Sequence, residues 1–503
     1  LYVEYLKSGV AQKINLDLIK KIKDKIVIEN VGGSAYRTLS RVLKKLEISD
    51  KFTWFNTEED PFFHSIGKYD HTPKGEKAFY DYSVDATVTS KRQNGEKFFP
   101  VIETLHYEEK LTKMPVGTAV LITDPDHDRL TIAQTEYACT IPELEKAGID
   151  YIQLNEDIIL TIFTANQAFL MLMDFWAKQL KAQGLWNNHP RFMIKTTASA
   201  ISWDEWAKKQ GVKVVNVPVG FKEIANIMKK VELKLKNNPD KEVIIDDVLG
   251  NSINLGVNPR LLFGGEESGG MIMGTEELIK SKAGRFAIAM REKSATEAII
   301  VASALISKLQ KEQVSLSEYL TEIFEENNII GRFDKREDIA YYNESEPDIN
   351  KLKEAKIAGE AKRTKNDLFY LSMAIAVKEG KMTIDNVKEV LNNTLKSLLF
   401  DNLQSIKFVG DGTYLEFSDK YIEIRPSGTD AKTKAYGGGS NKAVIETYAN
   451  ILGNYSGDLN NFHKKYVSED LYNKTKDIAM EYYLKFVDKD ANNEPFEIPE
   501  YKF

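Results

Sequence analysis

The chain reads as a multidomain α/β protein: two successive α/β units of strands and helices, followed by a smaller α+β unit at the C-terminal end. Three observations predict this. Strand-length apolar runs alternate with helical stretches near residues 25–46 and again at 191–235, where the order implies a mostly parallel sheet. From residue 407 the pattern changes to short β segments joined by tight turns. The chain has 503 residues, 42% hydrophobic and 28% charged, which is enough to form several cores.

Residues 1–24 are Lys-rich, with Ile14, Leu18, Ile19 and Ile22 at helical spacing, and predict a helix leading into the first unit. Residues 25–31 read as a strand, Gly32-Gly33 as a tight turn, and residues 34–46 as a helix with Ser34 as its N-cap. The glycine pair lacks the full G-x-G-x-x-G pattern, so packing explains it better than phosphate binding. The Asp, Lys, Gly and aromatic mixture within residues 57–116, densest from Tyr69 to Phe99, reads as an elaborated surface loop. Residues 119–122 form a buried strand that ends in Asp124-Pro125-Asp126-His127-Asp128-Arg129, and residues 131–133 a returning strand. Residues 166–180 are an amphipathic helix with Leu170, Met173 and Trp176 on its buried side.

The second unit runs strand 191–197, helix 203–210, strand 212–217, then Pro218-Val219-Gly220-Phe221-Lys222 and helix 223–235. Leu261-Leu262-Phe263 then delivers the glycine-rich loop Gly264-Gly265-Glu266-Glu267-Ser268-Gly269-Gly270. Residues 281–330 are helical, and 331–400 read as a helix-rich connection with one strand near 339–342. Strands at 407–409, 413–417 and 421–424 end in Arg425-Pro426-Ser427-Gly428-Thr429-Asp430, and residues 441–503 read as helices with a tail. The expected divisions are 1–150, 151–330, the connection 331–400, and 401–503.

A formal charge of −7 and a pI near 5.7 exclude a general attraction to nucleic acid or an anionic membrane surface, so any phosphate site is local. No run approaches the ~18 apolar residues that a membrane span requires. The single cysteine, Cys139, excludes an intramolecular disulfide; it reads as a buried small residue and suits a reducing, cytoplasmic setting. The start at Leu1 carries neither a Met nor a signal peptide, so the chain is expected to begin inside a longer protein.

Three loops carry chemistry. Asp124, Asp126 and Asp128 repel one another on one short turn unless a cation sits between them, and their alternation suits a hard divalent ion such as Mg²⁺. An EF-hand is excluded, because Arg129 and Thr135 stand where it needs Gly and Glu. Two glutamates and a serine on the 264–270 loop can exchange hydrogen bonds with sugar hydroxyls, on a backbone able to approach a ligand closely. Arg425, with its bidentate fork, two hydroxyls, a glycine, Lys432 and Lys434, suits a phosphate dianion.

In this order the three loops resemble those of the α-D-phosphohexomutases, the phosphoglucomutases and phosphomannomutases, with Pro218-Val219-Gly220-Phe221-Lys222 between the first two. The resemblance implies four domains around a cleft, in which a phosphoserine exchanges its phosphoryl group with a hexose phosphate. By motif, Asp124, Asp126 and Asp128 would hold Mg²⁺ and Arg129 would lie beside the transferring phosphate. Glu266 and Ser268 would hold sugar hydroxyls, and Arg425, Ser427, Gly428 and Thr429 the non-reacting phosphate. Lys293 matches a lysine suggested to assist proton transfer, although Ser294-Ala295 follows it where the family has Asp-Gly. Asp430-Ala431 likewise replaces Glu-Pro. The Glu266-Glu267-Ser268 form favours glucose 1-phosphate, glucose 6-phosphate and glucose 1,6-bisphosphate as ligands. The family's Thr-Ala-Ser-His-Asn-Pro loop is not found; Thr197-Ala198-Ser199 follows the acidic loop and continues differently. The chain is therefore expected to match the last three domains, with the phosphoserine domain outside it. The alternative is a non-catalytic sugar-phosphate-binding protein.

Overall fold

A computed structural model describes the chain apart from residues 1, 62–63, 65, 67, 71–76, 80–85, 88, 92–96, 281–285, 344–345, 347, 429–430 and 489–503. The first unit is a six-stranded sheet of β1 (Ile26–Glu29), β2 (Phe52–Phe55), β3 (Ala119–Thr123), β4 (Leu130–Tyr137), β5 (Asp150–Gln153) and β6 (Ile158–Phe163), in the order β2-β1-β3-β4-β6-β5. β1 runs parallel to β2 and β3, and the remaining pairs are antiparallel. Alternate residues enter opposite cores: Ile28, Leu121 and Ile132 one, Val27, Val120 and Ala133 the other. Both faces are covered, which is why β1 and β3 are buried along their whole length and carry the continuous apolar runs 26–28 and 119–122 rather than an alternation. Helix α1 (Ala35–Lys45) buries Ala35, Leu39, Val42 and Leu43 as one stripe. Ser34 is not its side-chain cap, contrary to expectation; its hydroxyl donates instead to the Pro125 carbonyl, 3.2 Å away.

The second unit repeats the design. β7 (Arg191–Thr196), β8 (Lys213–Val217), β9 (Arg260–Gly265) and β10 (Met271–Met273) lie in the order β8-β7-β9-β10, with β7 parallel to β8 and β9 and with β10 antiparallel. Its helices are α2 (Ala165–Ala182), α3 (Ile201–Gln210), α4 (Phe221–Asn237), α5 (Ala295–Glu312) and α6 (Leu316–Glu326). A capping box of Thr164 and Gln167 starts α2, which is buried on nearly every side and packs into a core shared by both sheets. The division expected at residue 150 is thus corrected. β5 and β6 complete the first sheet, and Gly148, at φ 73°, is the C-cap of the short helix Ile141–Ala147 rather than a boundary.

The third unit is an antiparallel sheet, β11-β15-β14-β13-β12, made of β11 (Phe333–Ala340), β12 (Leu403–Phe408), β13 (Thr413–Phe417), β14 (Lys420–Pro426) and β15 (Lys432–Gly439). Its helices are α7 (Ile349–Lys378), α8 (Ile384–Thr394), α9 (Lys442–Asn454) and α10 (Glu469–Asp488). Residues 331–400 are therefore no connection. β11 pairs along its whole length with β15, and Phe369 and Leu391 of α7 and α8 join the core of Leu415 and Ile422. α10 reaches further: Leu471 and Ala479 enter that core, while Phe486 packs on the second unit, its carbonyl accepting from Lys230 Nζ at 2.6 Å. Tyr483 donates to the buried Glu223 of α4. Cys139 is exposed, not buried, because it falls in a surface 3₁₀ turn after β4. The elaborated loop expected before Phe99 and the final tail lie largely outside the described residues. Among those described, no helix is long and apolar enough to cross a membrane.

Candidate active site

The loop from β3 to β4 carries Asp124, Asp126 and Asp128, whose side-chain oxygens come within 4.8 Å of one another. It is a tight turn. His127 N–H donates to the Asp124 carbonyl at 3.0 Å, and Asp124 Oδ1 accepts from the N–H groups of Asp128 (3.0 Å) and Arg129 (2.9 Å). The Gly32-Gly33 turn supports it from behind: a Cβ on Gly33 would stand 2.4 Å from the Pro125 carbonyl oxygen, and Ser34 N–H donates to that oxygen at 2.9 Å. Packing is what this glycine does.

Burial pushes Asp124 up to about 7; the Arg129 N–H opposes the shift, and repulsion from Asp128 and Asp126 reinforces it. Arg129 Nε lies 3.7 Å from both Asp124 Oδ2 and Asp128 Oδ1, beyond hydrogen-bonding reach, and Asp128 Oδ1 is buried without a partner. Lys293 Nζ, 3.0 Å from Asp128 Oδ2, is the closest counter-charge. Three hard oxygen donors with surplus negative charge and one orphaned oxygen fit a divalent cation such as Mg²⁺. His127 stands between Asp126 and Asp128 at φ 60°, with Nε2 2.9 Å from Thr296 Oγ1; burial lowers its pKa to about 4, so the ring is neutral at pH 7.

The glycine-rich loop joins β9 to β10, the same position in the second sheet. Glu266 N–H donates to the Gly270 carbonyl at 3.0 Å, and the buried Glu266 Oε1 accepts from Ser268 Oγ at 2.6 Å with Lys293 Nζ at 3.8 Å. Burial, then the neighbouring Glu267, raises the Glu266 pKa. Glu267 accepts from Thr196 Oγ1 at 2.9 Å. The two loops meet edge to edge: Arg129 and Gly270 form an antiparallel bridge, and Leu130 N–H donates to the Gly269 carbonyl at 3.1 Å. Between them lies a cavity of about 220 Å³ bordered by Asp124, Pro125, Arg129, Ser268 and Gly269. The structure thus brings together Asp124, Asp126, Asp128, Arg129, Glu266, Ser268 and Lys293.

Arg425, Ser427 and Gly428 form a second cluster at the end of β14. Asp411 grips Arg425 through Nε at 3.1 Å and Nη2 at 2.6 Å. Ser427 N–H donates to the Lys432 carbonyl at 2.8 Å, and Arg363 of α7 donates to the Ser427 carbonyl at 2.8 Å. Ser427 is buried and Gly428 exposed; Thr429 and Asp430 lie outside the described residues. Lys434 faces Arg425 in register, and burial, then Arg336 and Arg425, lower its pKa. The field of Glu267 reaches both Lys434 and Arg336, which links this cluster to the glycine-rich loop. Thr197-Ala198-Ser199 is interior: the Ala198 carbonyl accepts from Tyr421 OH at 2.7 Å, and Ser199 Oγ lies 2.8 Å from Thr196 Oγ1. Thr196, His127, Asp411 and Arg363 were not singled out by the sequence. The first two act through partners distant in the chain, and only the Gly410-Asp411-Gly412 turn left a local sign.

With the second unit's sheet and helices in view, residues 169–327 match the family model "Phosphoglucomutase/phosphomannomutase, alpha/beta/alpha domain III". Over that stretch, about a third of its length, the chain is similar to the third domain of the phosphoglucomutases and phosphomannomutases. No curated protein matches it. Among solved structures it is similar to a phosphoglucomutase/phosphomannomutase family protein from Burkholderia thailandensis (13% identity, TM-score 0.42, 96% of this chain and 66% of that one). Parafusin, a phosphoglucomutase from Paramecium, gives 13% identity and a TM-score of 0.45, over 97% and 62%. Aspergillus fumigatus N-acetylphosphoglucosamine mutase, solved with GlcNAc-6P and magnesium, gives 10% and 0.42, over 89% and 65%. The chain spans less than two thirds of each of these proteins.

Proposed function

We propose that the chain supplies the metal, sugar and distal-phosphate loops of a phosphoglucomutase-type phosphohexomutase, interconverting glucose 1-phosphate and glucose 6-phosphate through the bisphosphate. The phosphoserine reaches the cleft from outside these residues. The observation that carries this reading is the meeting of the aspartate turn with the Glu266–Ser268 loop across Lys293. Asp124, Asp126 and Asp128 would hold Mg²⁺, which when bound neutralises charge on a transferring phosphoryl group. Arg129 borders the same cavity and orients that group. Glu266 and Ser268 bind sugar hydroxyls. Lys293, 3.0 Å from Asp128 and 3.8 Å from Glu266, stands where a proton would pass to or from a hydroxyl. Arg425, Ser427, Gly428 and Thr429, with Lys434 opposite, would grip the phosphate that does not react.

The test is calorimetry and a coupled mutase assay on the 503-residue chain. Glucose 6-phosphate should bind in the presence of Mg²⁺, about tenfold more weakly in Arg425→Gln, where one bidentate contact is lost. Interconversion should be almost undetectable. Robust turnover by this chain would overturn the external phosphoserine, and absence of any sugar-phosphate binding would overturn the whole reading.

A further inference from the structure

We infer that His127 is a positioning residue, whose bond to Thr296 sets the aspartate turn against the start of α5 and so holds the triad in shape for a cation. The inference rests on reading that triad as a divalent-metal site.

His127 lies at the tip of the turn, between the second and third aspartates, with φ 60°. Left-handed backbone is strained for a residue that carries a side chain, a cost that glycine would avoid. The side chain therefore has to return something. What it offers is reach: Nε2 sits 2.9 Å from the hydroxyl of Thr296, 169 positions away in sequence. Nδ1 is buried without a partner, so this one bond orients the ring. Thr296 is itself buried in the first turn of α5, which Ser294 caps by accepting from Glu297 N–H at 3.3 Å.

Lys293, immediately before the Ser294 cap of α5, contacts Asp128 Oδ2 at 3.0 Å. Asp128 is thus flanked by two anchors that belong to one helix start. Lys293 acts on the carboxylate directly, and Thr296 acts on the preceding residue. The far end of the turn is held separately, by the Arg129–Gly270 bridge and by Leu130 N–H on the Gly269 carbonyl. Without His127 the turn would keep its internal hydrogen bonds, Ser34 on the Pro125 carbonyl and Lys293 on Asp128, but nothing would hold residue 127 itself, and Asp126, the exposed member of the triad, would be the first to drift. Groups that orient metal ligands from outside the ligand set typically contribute 10–100-fold in metal affinity.

The experiment is a Mn²⁺ titration of the intact chain followed by electron paramagnetic resonance, with thermal melting measured in parallel. His127→Ala should bind Mn²⁺ about tenfold more weakly with its melting temperature nearly unchanged. Thr296→Val, which leaves the loop sequence intact, should give the same loss, and Thr296→Ser should restore binding. The double variant should be no weaker than either single one, as expected of two halves of a single contact. Wild-type affinity in Thr296→Val, or additive losses in the double variant, would overturn the inference. Mn²⁺ binding that Asp124→Asn fails to weaken would overturn the metal reading itself, a different failure.

Discussion

The β3–β4 and β9–β10 loops occupy the same place in two sheets whose first four strands follow one order, yet one is left with surplus charge and the other is closed on itself. In the aspartate turn, Lys293 reaches only Asp128, and Arg129 stops 3.7 Å short of Asp124 and Asp128. In the glycine-rich loop, Glu266 accepts from Ser268 and Glu267 from Thr196, so each acid already has a hydroxyl partner. The backbone frame delivers both loops to one spot, and the balance of charge decides what each can receive. An unbalanced carboxylate cluster suits a cation; acids partnered by hydroxyls suit a ligand that can replace one hydroxyl with another.

The sharpest way to break this contrast is to neutralise one acid in each loop. Asp124→Asn should lower Mn²⁺ affinity by about 100-fold and, by removing repulsion, leave the metal-free chain at least as stable as before. Glu266→Gln should keep Mn²⁺ affinity within about threefold but weaken glucose 6-phosphate about tenfold, as the loss of a charge-assisted hydrogen bond would. If both variants lose the same ligand, the division of labour is wrong.

A smaller effect comes from pH. Asp124 is held up to about 7 in the folded, metal-free chain, above its ordinary value of 3.8. Protons therefore compete with the cation below that point, and metal affinity should climb by up to about tenfold per unit as pH rises towards 7, then level off. For stability the sign is opposite. The folded state binds the proton more tightly than the unfolded chain, so the metal-free protein loses stability as pH rises from about 4 through 7. Melting curves at pH 5 and pH 8, with and without Mg²⁺, should show the larger metal-induced gain at pH 8.

Glycine substitutions should act on stability rather than on ligand choice, in graded steps. Gly33→Ala drives a Cβ into the Pro125 backbone at 2.4 Å, which should cost about 1–3 kcal/mol in urea melts and disturb the aspartate turn. Gly270→Ala meets Lys293 Cδ at 2.6 Å, a flexible stem that can move, so it should cost less stability while displacing Lys293 from Asp128. Gly428→Ala meets nothing within 4 Å and should be within about 0.5 kcal/mol of wild type.

The sheets were legible where strands are buried on both faces: residues 119–122 and 261–263 stand out because every position is apolar. β6 is just as buried, yet Thr161 within it and the polar turn before it hide the strand, and the first unit was cut short at residue 150 for that reason. β11 was harder still. Its run Phe333-Asp334-Lys335-Arg336-Glu337-Asp338 is almost wholly charged, and only its pairing with β15 makes it a strand. Within the site, the aspartates, Glu266, Ser268 and Arg425 could be found because each lies in a compact local motif. The His127–Thr296 contact could not, since nothing at either position signals a partner 169 residues away.

α10 has one more consequence. Its first half is rooted in the core of the third unit, and Phe486, near its end, lies on that of the second. Unfolding either unit would strip this helix of half its anchorage, so denaturation of one is energetically linked to denaturation of the other. A helix that looks like an appendage in the sequence thus couples the stability of the third unit to that of the second.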